Sequence, residues 1–349
     1  MKTSSFVFLI CISLCIQSCD HEPPVGPPVG RSDTTSHNFV LNTEIFGDGN
    51  ASVLYGVAII NDSLAYAVGE IYLKDSTGGF DPLPYNFAKW DGTSWQLTRV
   101  AVQTKYSLAT APFYGICVFS SDDIWILLGT PVHWDGNKWT QYDLYDMGVL
   151  GQSDGDIRKA WGENSRDMYF VGNLGTIVHY TGSGWQKLIS GTRTGINDVW
   201  GITDRLGRDY VYCTVTNYLE PADKKILEIS YYNKVDSLNW TLVRAVSSVW
   251  TNDTSKLYVC GDGVFERSGG AWQEMKTGAS IGTTGIRGNS VNDIFVIGGF
   301  GFIAHYNGST WQIYPPSLDG QYNSVAVRGN LCIAVCTTGD KAVITIGKR

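Results

Sequence analysis

One short pattern recurs along most of the chain and constrains its fold more than any other feature. A glycine is followed three residues later by a tryptophan in five copies, and a sixth copy has lost the glycine. The six copies end at Trp95, Trp139, Trp185, Trp240, Trp272 and Trp311. Their spacings of 44, 46, 55, 32 and 39 residues scatter around the length of one four-stranded propeller blade. The sequence therefore predicts a β-propeller in which each Trp packs between neighbouring blades.

Each repeat contains four short β-strand patterns, here named a to d in chain order. In the clearest copy they cover residues 157–162, 167–172, 175–180 and 185–188. Clusters of Asn, Asp, Gly and Ser between strands a and b are typical of hairpins. The glycine between strands c and d supplies the positive φ that a tight turn needs.

The last repeat is incomplete, and the other end of the chain supplies what it lacks. Residues 322–346 contain three strand patterns without a strand d, whereas residues 39–46 form an unassigned β-rich segment of suitable length. Pairing the two ends would remove exposed sheet edges. We therefore predict an all-β protein: a seven-bladed β-propeller of four-stranded antiparallel blades, closed by an N-terminal strand that completes the last blade. A count of eight blades remains the alternative.

The composition fits this fold and argues against two other classes. The chain of 349 residues has 12 Trp, 19 Tyr, 13 Phe and 40 Gly but only 4 Met, which favours aromatic strands and tight turns over a helical bundle. The formal net charge is -7, and it becomes -8 if Lys2 is removed with a signal peptide. A nucleic-acid partner is therefore not expected.

The N-terminus has the features of an export signal. Lys2 precedes an apolar run that is too short to span a membrane, and Ile16-Gln17-Ser18-Cys19 resembles a bacterial lipobox. We predict a signal peptide at residues 1–18, a lipidated Cys19 with a Pro/Gly-rich spacer at 19–38, and the propeller at 39–349. Cys19 would anchor the protein to a lipid bilayer of the bacterial cell envelope, with the outer membrane or cell surface favoured. An ordinary secretory signal is the alternative.

The turn before each Trp also resembles a known repeat. Asp91-Gly92-Thr93-Ser94-Trp95 is similar to the Asp-box of bacterial neuraminidase-type repeats, S-x-D-x-G-x-x-W, although here Asp and Gly are adjacent. The whole blade resembles repeats of the photosystem-assembly-factor and Asp-box group over about residues 39–349. The resemblance implies a propeller in which this motif stabilises a turn and carries no chemistry.

Repeated polar residues invite a metal or catalytic interpretation, but their placement favours a structural one. His133, His179 and His305 occupy one position of strand c in three different blades, so they cannot converge on one ion. We expect the acidic residues that open strand b to accept backbone N–H bonds in the a–b turn; they are Asp123, Asp167, Asp209 and Asp293. We predict no catalytic residue, metal or cofactor.

Five cysteines follow Cys19 in the predicted propeller, and all have apolar strand neighbours. They are Cys117, Cys213, Cys260, Cys332 and Cys336. We expect buried free thiols for most of them, with a bridge from Cys117 or Cys213 left open. Cys332 and Cys336 lie too far apart in one strand to pair.

Irregular loops suggest where a partner could bind. A b–c insertion in blade 1 (residues 70–85), one in blade 4 (217–225) and a d–a loop at 142–154 should project from one face of the ring, since b–c and d–a loops share a face. The candidate binding residues are Tyr72, Phe80, Tyr85, Tyr145 and Tyr218. The sequence favours a monomeric, membrane-tethered, non-catalytic binding or scaffolding module that recognises a protein or glycan. The alternative is a carbohydrate-active enzyme, sialidase-like or otherwise glycosyl-processing, with its site over the central opening.

Overall fold

A computed structural model of the protein describes residues 34–48, 51–79, 81–105, 107–217, 220–230, 232–242 and 244–349. Residues Thr34–Arg349 form one compact unit. The predicted signal peptide, Cys19 and the spacer up to residue 33 lie outside the described residues, so these remain predictions. Within the described ranges, no helix is both long and apolar enough to cross a membrane.

The architecture is the predicted seven-bladed propeller of four-stranded antiparallel sheets. In each blade the strands a, b, c and d follow one another outward from the centre of the ring. Blade 1 consists of Val53–Asn61, Leu64–Ile71, Tyr85–Trp90 and Trp95–Thr98. Blade 2 consists of Gly115–Ser120, Asp123–Leu127, Pro131–Trp134 and Trp139–Gln141. Blade 3 consists of Ile157–Asn164, Asp167–Gly172, Ile177–Tyr180 and Trp185–Leu188.

The remaining blades repeat this order. Blade 4 consists of Ile196–Thr203, Asp209–Asn217, Glu220–Ile229 and Val235–Ser237. Blade 5 consists of Val246–Asp253, Lys256–Gly261, Gly263–Ser268 and Ala271–Glu274. Blade 6 consists of Thr283–Ser290, Asp293–Gly298, Ile303–Tyr306 and Trp311–Tyr314. Blade 7 consists of Gln321–Arg328, Leu331–Thr338, Lys341–Lys348 and, from the other end of the chain, Val40–Phe46.

Two small elements lie outside the blades. A hairpin of Val102–Gln103 and Leu108–Ala109 decorates the connection from blade 1 to blade 2, and a 3₁₀ turn at Asn173–Gly175 joins strands b and c of blade 3. The hairpin's strands are only two residues long, too short to leave an alternating pattern in the sequence.

The turn between strands c and d has the predicted chemistry. In blade 1 the Asp91 carboxylate accepts the backbone N–H groups of Thr93 and Ser94 at 2.9 and 2.8 Å, and Gly92 has φ +98°. These bonds hold the pKa of Asp91 well below its ordinary value. The Asx turn and the glycine together place the following Trp at the start of strand d.

The repeated tryptophans pack between blades, as predicted. Trp185 of blade 3 lies 6.2 Å from Trp125 of blade 2, and Trp139 of blade 2 lies 6.2 Å from Phe87 of blade 1, both measured between ring centroids. Each interface is a separate apolar cluster, which fits a ring whose blades contact only their neighbours.

Trp240 departs from this arrangement. The sequence suggested that it opens strand d of blade 4, but that strand is Val235–Ser237 and Trp240 follows it. The copy lacks the turn glycine, so strand d begins earlier and Trp240 enters the blade 4–blade 5 interface from a loop. There its ring lies edge-on to Trp272 at 4.9 Å.

Ring closure joins the two ends of the described chain. Val40–Phe46 pairs antiparallel with Lys341–Lys348, in a register that runs from Val40 opposite Lys348 to Phe46 opposite Ala342. Phe39, just before the strand, is 6% exposed and lies edge-on to the ring of Phe295 in blade 6 at 4.8 Å. The closing strand is therefore held both by its sheet and by a buried aromatic anchor.

The residues before Phe39 also contact the propeller, ahead of the predicted boundary at residue 39. His37 Nδ1 lies 2.9 Å from Nδ1 of His305, and the His37 Nε2 atom lies 3.1 Å from the Thr310 hydroxyl. The other ring nitrogen of His305 bonds to Asp293 at 2.8 Å, and Asp293 also accepts a bond from Arg349 at 2.9 Å. Both ends of the described chain thus meet at one buried carboxylate.

Removing the aromatic anchor should open the ring. We expect Phe39→Ala to lower the free energy of unfolding by about 3–5 kcal/mol, because it leaves a cavity beside Phe295. Val40→Ala is the matched control, since Val40 is 76% exposed and its truncation should cost less than about 0.5 kcal/mol. Chemical denaturation of the two variants measures the difference, and equal stabilities would contradict the anchoring role.

Protonation of His37 at acidic pH should destabilise the ring closure. Burial and the neighbouring His305 place the pKa of His37 below its ordinary value of 6.5, so the unfolded chain takes up a proton at higher pH than the folded one. The contribution to stability is complete above about pH 6.5 and is lost as the pH falls through the folded-state pKa. We expect the melting temperature of the wild type to fall further than that of His37→Gln between pH 7.5 and 5.5. Identical pH profiles would overturn this assignment.

Candidate functional site

The central opening is surrounded by one residue from each blade. Near its start, strand a carries a β-bulge in blades 1 and 3–7, and the bulged residue lies at the d–a end of the channel. In blade 2 the equivalent residue directly precedes strand a. We call these seven residues the mouth ring: Tyr55, Tyr114, Arg158, Asn197, Ser247, Thr284 and Asn323.

The two halves of the mouth ring differ in chemistry. On the side of blades 1–3, the rings of Tyr55 and Tyr114 lie 5.3 Å apart, and the Arg158 guanidinium lies 3.6 Å above the Tyr114 ring. This short distance is typical of a cation–π contact. All three side chains are half-buried, so the contacts hold them in place while part of each remains accessible.

The blade 1 insertion extends this row outward. Glu70, at the end of strand b, accepts hydrogen bonds from the hydroxyls of Tyr55 at 3.0 Å and Tyr72 at 2.9 Å. Burial and the Glu70 carboxylate raise the pKa of both tyrosines to about 12, so both hydroxyls remain protonated donors. Together with Tyr114 and Arg158, these residues form what we call the aromatic row, a continuous surface across three blades.

Side chains in the other half of the mouth ring bond to the framework. Asn323 donates to the backbone oxygen of Leu54 at 2.9 Å and thereby joins blade 7 to blade 1. Thr284 donates to the backbone oxygen of Tyr322 at 2.6 Å. This half therefore stabilises contacts between blades, whereas the aromatic row presents side chains to the face.

Below the mouth, the channel contains a buried ion pair. Both oxygens of Asp198 accept bonds from the Arg287 guanidinium at 2.9 Å, and the Ser248 hydroxyl donates to the same carboxylate. Burial alone would raise the pKa of Asp198, but Arg287 outweighs it and holds the pKa below the ordinary value. Among the described residues that line the channel, Asp198 is the one carboxylate. A glycosidase mechanism needs two carboxyl groups, one of them with a raised pKa, and this arrangement does not supply them.

The predicted binding residues are only partly brought together. Tyr72 belongs to the aromatic row, whereas Tyr85 lies farther out, where the Arg99 guanidinium covers its ring at 4.2 Å. Tyr145 packs against the core between blades 2 and 3, and its hydroxyl donates to the backbone oxygen of Asp154 at 3.3 Å. Phe80 and Tyr218 lie outside the described residues.

Two predicted loops have different outcomes. The blade 1 insertion is present, because strand b ends at Ile71 and strand c begins at Tyr85. The predicted blade 4 loop at 217–225 is wrong: strand b reaches Asn217 and strand c already begins at Glu220. The alternating pattern continues beyond the usual strand length there, so the hairpin lengthens instead of forming a loop.

Sequence reasoning missed Tyr55, Tyr114 and Arg158, although a signal was present. Leu54-Tyr55-Gly56-Val57 and Phe113-Tyr114-Gly115-Ile116 are the same strand a pattern in adjacent repeats. An alignment of the inner strands, instead of the tryptophan turns, would have placed both tyrosines at one repeat position.

The repeated histidines form structural pairs with the aspartates that open strand b. The Nε2 atoms of His133, His179 and His305 lie 2.8, 2.6 and 2.8 Å from carboxylate oxygens of their own blades, and each imidazole stacks on the aromatic ring opposite it. The partners are Asp123, Asp167 and Asp293. We predicted that these aspartates accept backbone N–H groups of the a–b turn, and this was wrong because their partners are histidines. It was also wrong for Asp209, which accepts a bond from the Thr203 hydroxyl.

Blade 5 reverses this pair. At the equivalent positions it has Lys256 and Glu266, whose charged atoms lie 2.9 Å apart. Four blades therefore carry an ion pair or charged hydrogen bond across strands b and c at this position, in either orientation. A structural role explains this exchange, whereas a ligand site would require a particular residue.

The cysteines of the propeller are free thiols. Cys213, Cys260, Cys332 and Cys336 are buried, and Cys117 is half-buried against the channel. Burial raises the pKa of Cys117 and Cys260 to about 12, which keeps these thiols protonated and poor nucleophiles. The bridge left open for Cys117 or Cys213 is not formed.

Comparison with known proteins identifies the fold. No protein-family model and no curated protein sequence matches the chain. Among solved structures, YCF48 bound to D1 peptide has a TM-score of 0.64 at 13% identity, covering 88% of this chain and 97% of that one. YCF48 from Cyanidioschyzon merolae has a TM-score of 0.61 at 13% identity, covering 86% and 98%. The WD40 β-propeller domain of Doa1 has a TM-score of 0.62 at 14% identity, covering 90% and 98%. At these identities the likeness establishes that the chain has a β-propeller fold like that of YCF48 and WD40 proteins.

Proposed function

We propose that this protein is a non-catalytic binding propeller that holds a polypeptide segment against the aromatic row, on the face formed by the b–c and d–a loops. The observation that carries the proposal is the pre-arranged set of Tyr55, Tyr114 and Arg158 at the channel mouth. Tyrosine and arginine are the residue types that contribute most to protein interfaces, particularly where neighbouring contacts already fix their rotamers.

The geometry favours a polypeptide over a glycan. Sugar stacking requires an open aromatic face, but Tyr114 has Arg158 at 3.6 Å over its ring and Tyr55 beside it. The Arg158 guanidinium also lies 3.2 Å from the Asp156 carboxylate, and this contact helps to fix its orientation at the channel mouth. An extended peptide could contact the ring edges, the guanidinium and the loop backbone together. That one structural neighbour is a propeller bound to a peptide is consistent with this choice.

Two exchanges test the site against matched controls. We expect Tyr114→Ala and Arg158→Ala each to weaken capture of the envelope ligand about 30-fold, as for interface residues worth about 2 kcal/mol. The exposed Tyr232 and Arg166 belong to the c–d and a–b turns of the opposite face, and their alanine variants should bind like the wild type. Binding is measured by titrating the purified full chain against immobilised envelope extract.

The chemical nature of the ligand is tested in the same assay. Protease treatment of the extract should abolish capture, whereas periodate oxidation of its glycans should leave capture unchanged. The reverse pattern would replace the polypeptide with a glycan. Equal effects of the variants on both faces would refute the site.

The second part of the proposal is that Cys19 carries a lipid that tethers the propeller to the cell envelope, with residues after it acting as a spacer. Lipobox-like residues before Cys19 support it. We expect Cys19→Ser to move the protein from the membrane fraction to the soluble fraction. Cys15 is preceded by Leu14 and not by a small residue, so Cys15→Ser should leave the protein membrane-bound. Wild-type protein in the soluble fraction, or membrane retention of Cys19→Ser, would contradict the tether.

A further inference from the structure

The central channel contains a cavity of about 270 Å³ below the mouth ring. The cavity exists because the blades carry side chains of different size at one position of strand a. Blades 3, 4 and 5 place tryptophans there, and blade 6 places Arg287, whereas blades 1, 2 and 7 have only small side chains. The small residues are Ala58, Cys117 and Ala326. Space that would fill with side chains in a symmetric ring is therefore left open on one side.

The walls of the cavity differ in polarity. The side formed by blades 7, 1 and 2 is mainly apolar and includes Val57, Ile116 and Val118, although Ser324 and Arg328 of blade 7 also line it. The opposite side carries the Asp198–Arg287 pair and, on blade 3, the Lys159 side chain. When Lys159 is protonated, one carboxylate faces two cations on that side, and the inner wall then has a net positive charge in a protein whose formal net charge is -7.

Lys159 is the unusual group. Its amine makes no hydrogen bond or ion pair with the part of the chain that the structure describes, although Asp198 is near enough to influence it electrostatically. Both Asp198 oxygens are already bonded to Arg287, which leaves the Lys159 amine without a carboxylate partner of its own. Burial lowers the pKa of Lys159, so an anion brought beside it would restore the charged form.

We propose that this cavity binds a small carboxylate with an apolar body, whose carboxylate pairs with Lys159. The apolar body would lie against Val57, Ile116 and Ala326, and the ligand would enter from the a–b end of the channel. At the mouth-ring end, the separate space between Lys159 and the polar half of the mouth ring holds only about 50 Å³. A single-ring acid suits the cavity, which lies near the lower limit of known ligand sites. The site is distinct from the aromatic row and does not depend on the proposed polypeptide ligand.

Phenylacetate and its neutral isostere phenylacetamide test this assignment by calorimetry on the purified full chain. We expect phenylacetate to bind at least about tenfold more tightly than phenylacetamide, because only the acid can form a charge-assisted bond with Lys159. Lys159→Met should remove that preference, and Lys89→Met, which alters an exposed lysine of blade 1, should not. Equal binding of acid and amide, or no binding of phenylacetate in the millimolar range, would overturn the proposal.

A second variant guards against misfolding of the first. Ala326→Leu fills the apolar end while keeping Lys159, so it should weaken phenylacetate and phenylacetamide by the same factor. The unliganded melting temperatures of both variants should stay near that of the wild type, since neither substitution removes a hydrogen bond. Unchanged phenylacetate affinity in either variant would place any binding outside the cavity and refute the site. Envelope capture is unaffected in all these variants if the two sites are independent.

Discussion

The antiparallel pairing of Val40–Phe46 with Lys341–Lys348 joins the two ends of the propeller, and the geometry of the ring depends on it. A sheet that is open at one edge leaves backbone groups unpaired and lets the blades spread. Closing blade 7 with a strand from the opposite end of the chain fixes seven inner strands at one radius. The mouth ring, the channel and the cavity exist only because those strands are held there.

Within that ring, the candidate sites lie where the blades differ from one another. Several blades share the same features in their outer parts: an Asx turn, a tryptophan between blades, or a polar pair across strands b and c. Strand a repeats its backbone but not its side chains. Tyr55 and Tyr114 mark the rim on the side where Ala58 and Cys117 leave space below. The same blades therefore carry both the aromatic row and the open part of the channel.

Electrostatics argue against Asp198 as a general acid in the channel. Asp198 is fixed by Arg287 and Ser248, and its lowered pKa keeps it ionised at neutral pH. A catalytic acid would need the opposite shift. The Lys159 amine, by contrast, has no ion-pair partner in the described chain, so an incoming anion gains an interaction that no protein group already satisfies.

Much of the fold could be predicted from the sequence, and much of the site could not. Tryptophan spacing and strand periodicity are local patterns, so they predicted the blades, the c–d turns and the closing strand. Trp240 and the blade 4 hairpin were misplaced because tertiary packing, not the local pattern, decided where those strands begin and end. The aromatic row could not be found from loop length, since Tyr55, Tyr114 and Arg158 meet only after three inner strands have been brought together.

The proposed function requires that a polypeptide contact the aromatic row in the cell. Site-specific photo-crosslinking in cells tests it most directly, with a benzophenone amino acid in place of Tyr114 and, separately, in place of Tyr232 on the opposite face. We expect a discrete protein crosslink at position 114 and none at position 232. No crosslink at 114, or the same products from both faces, would contradict it.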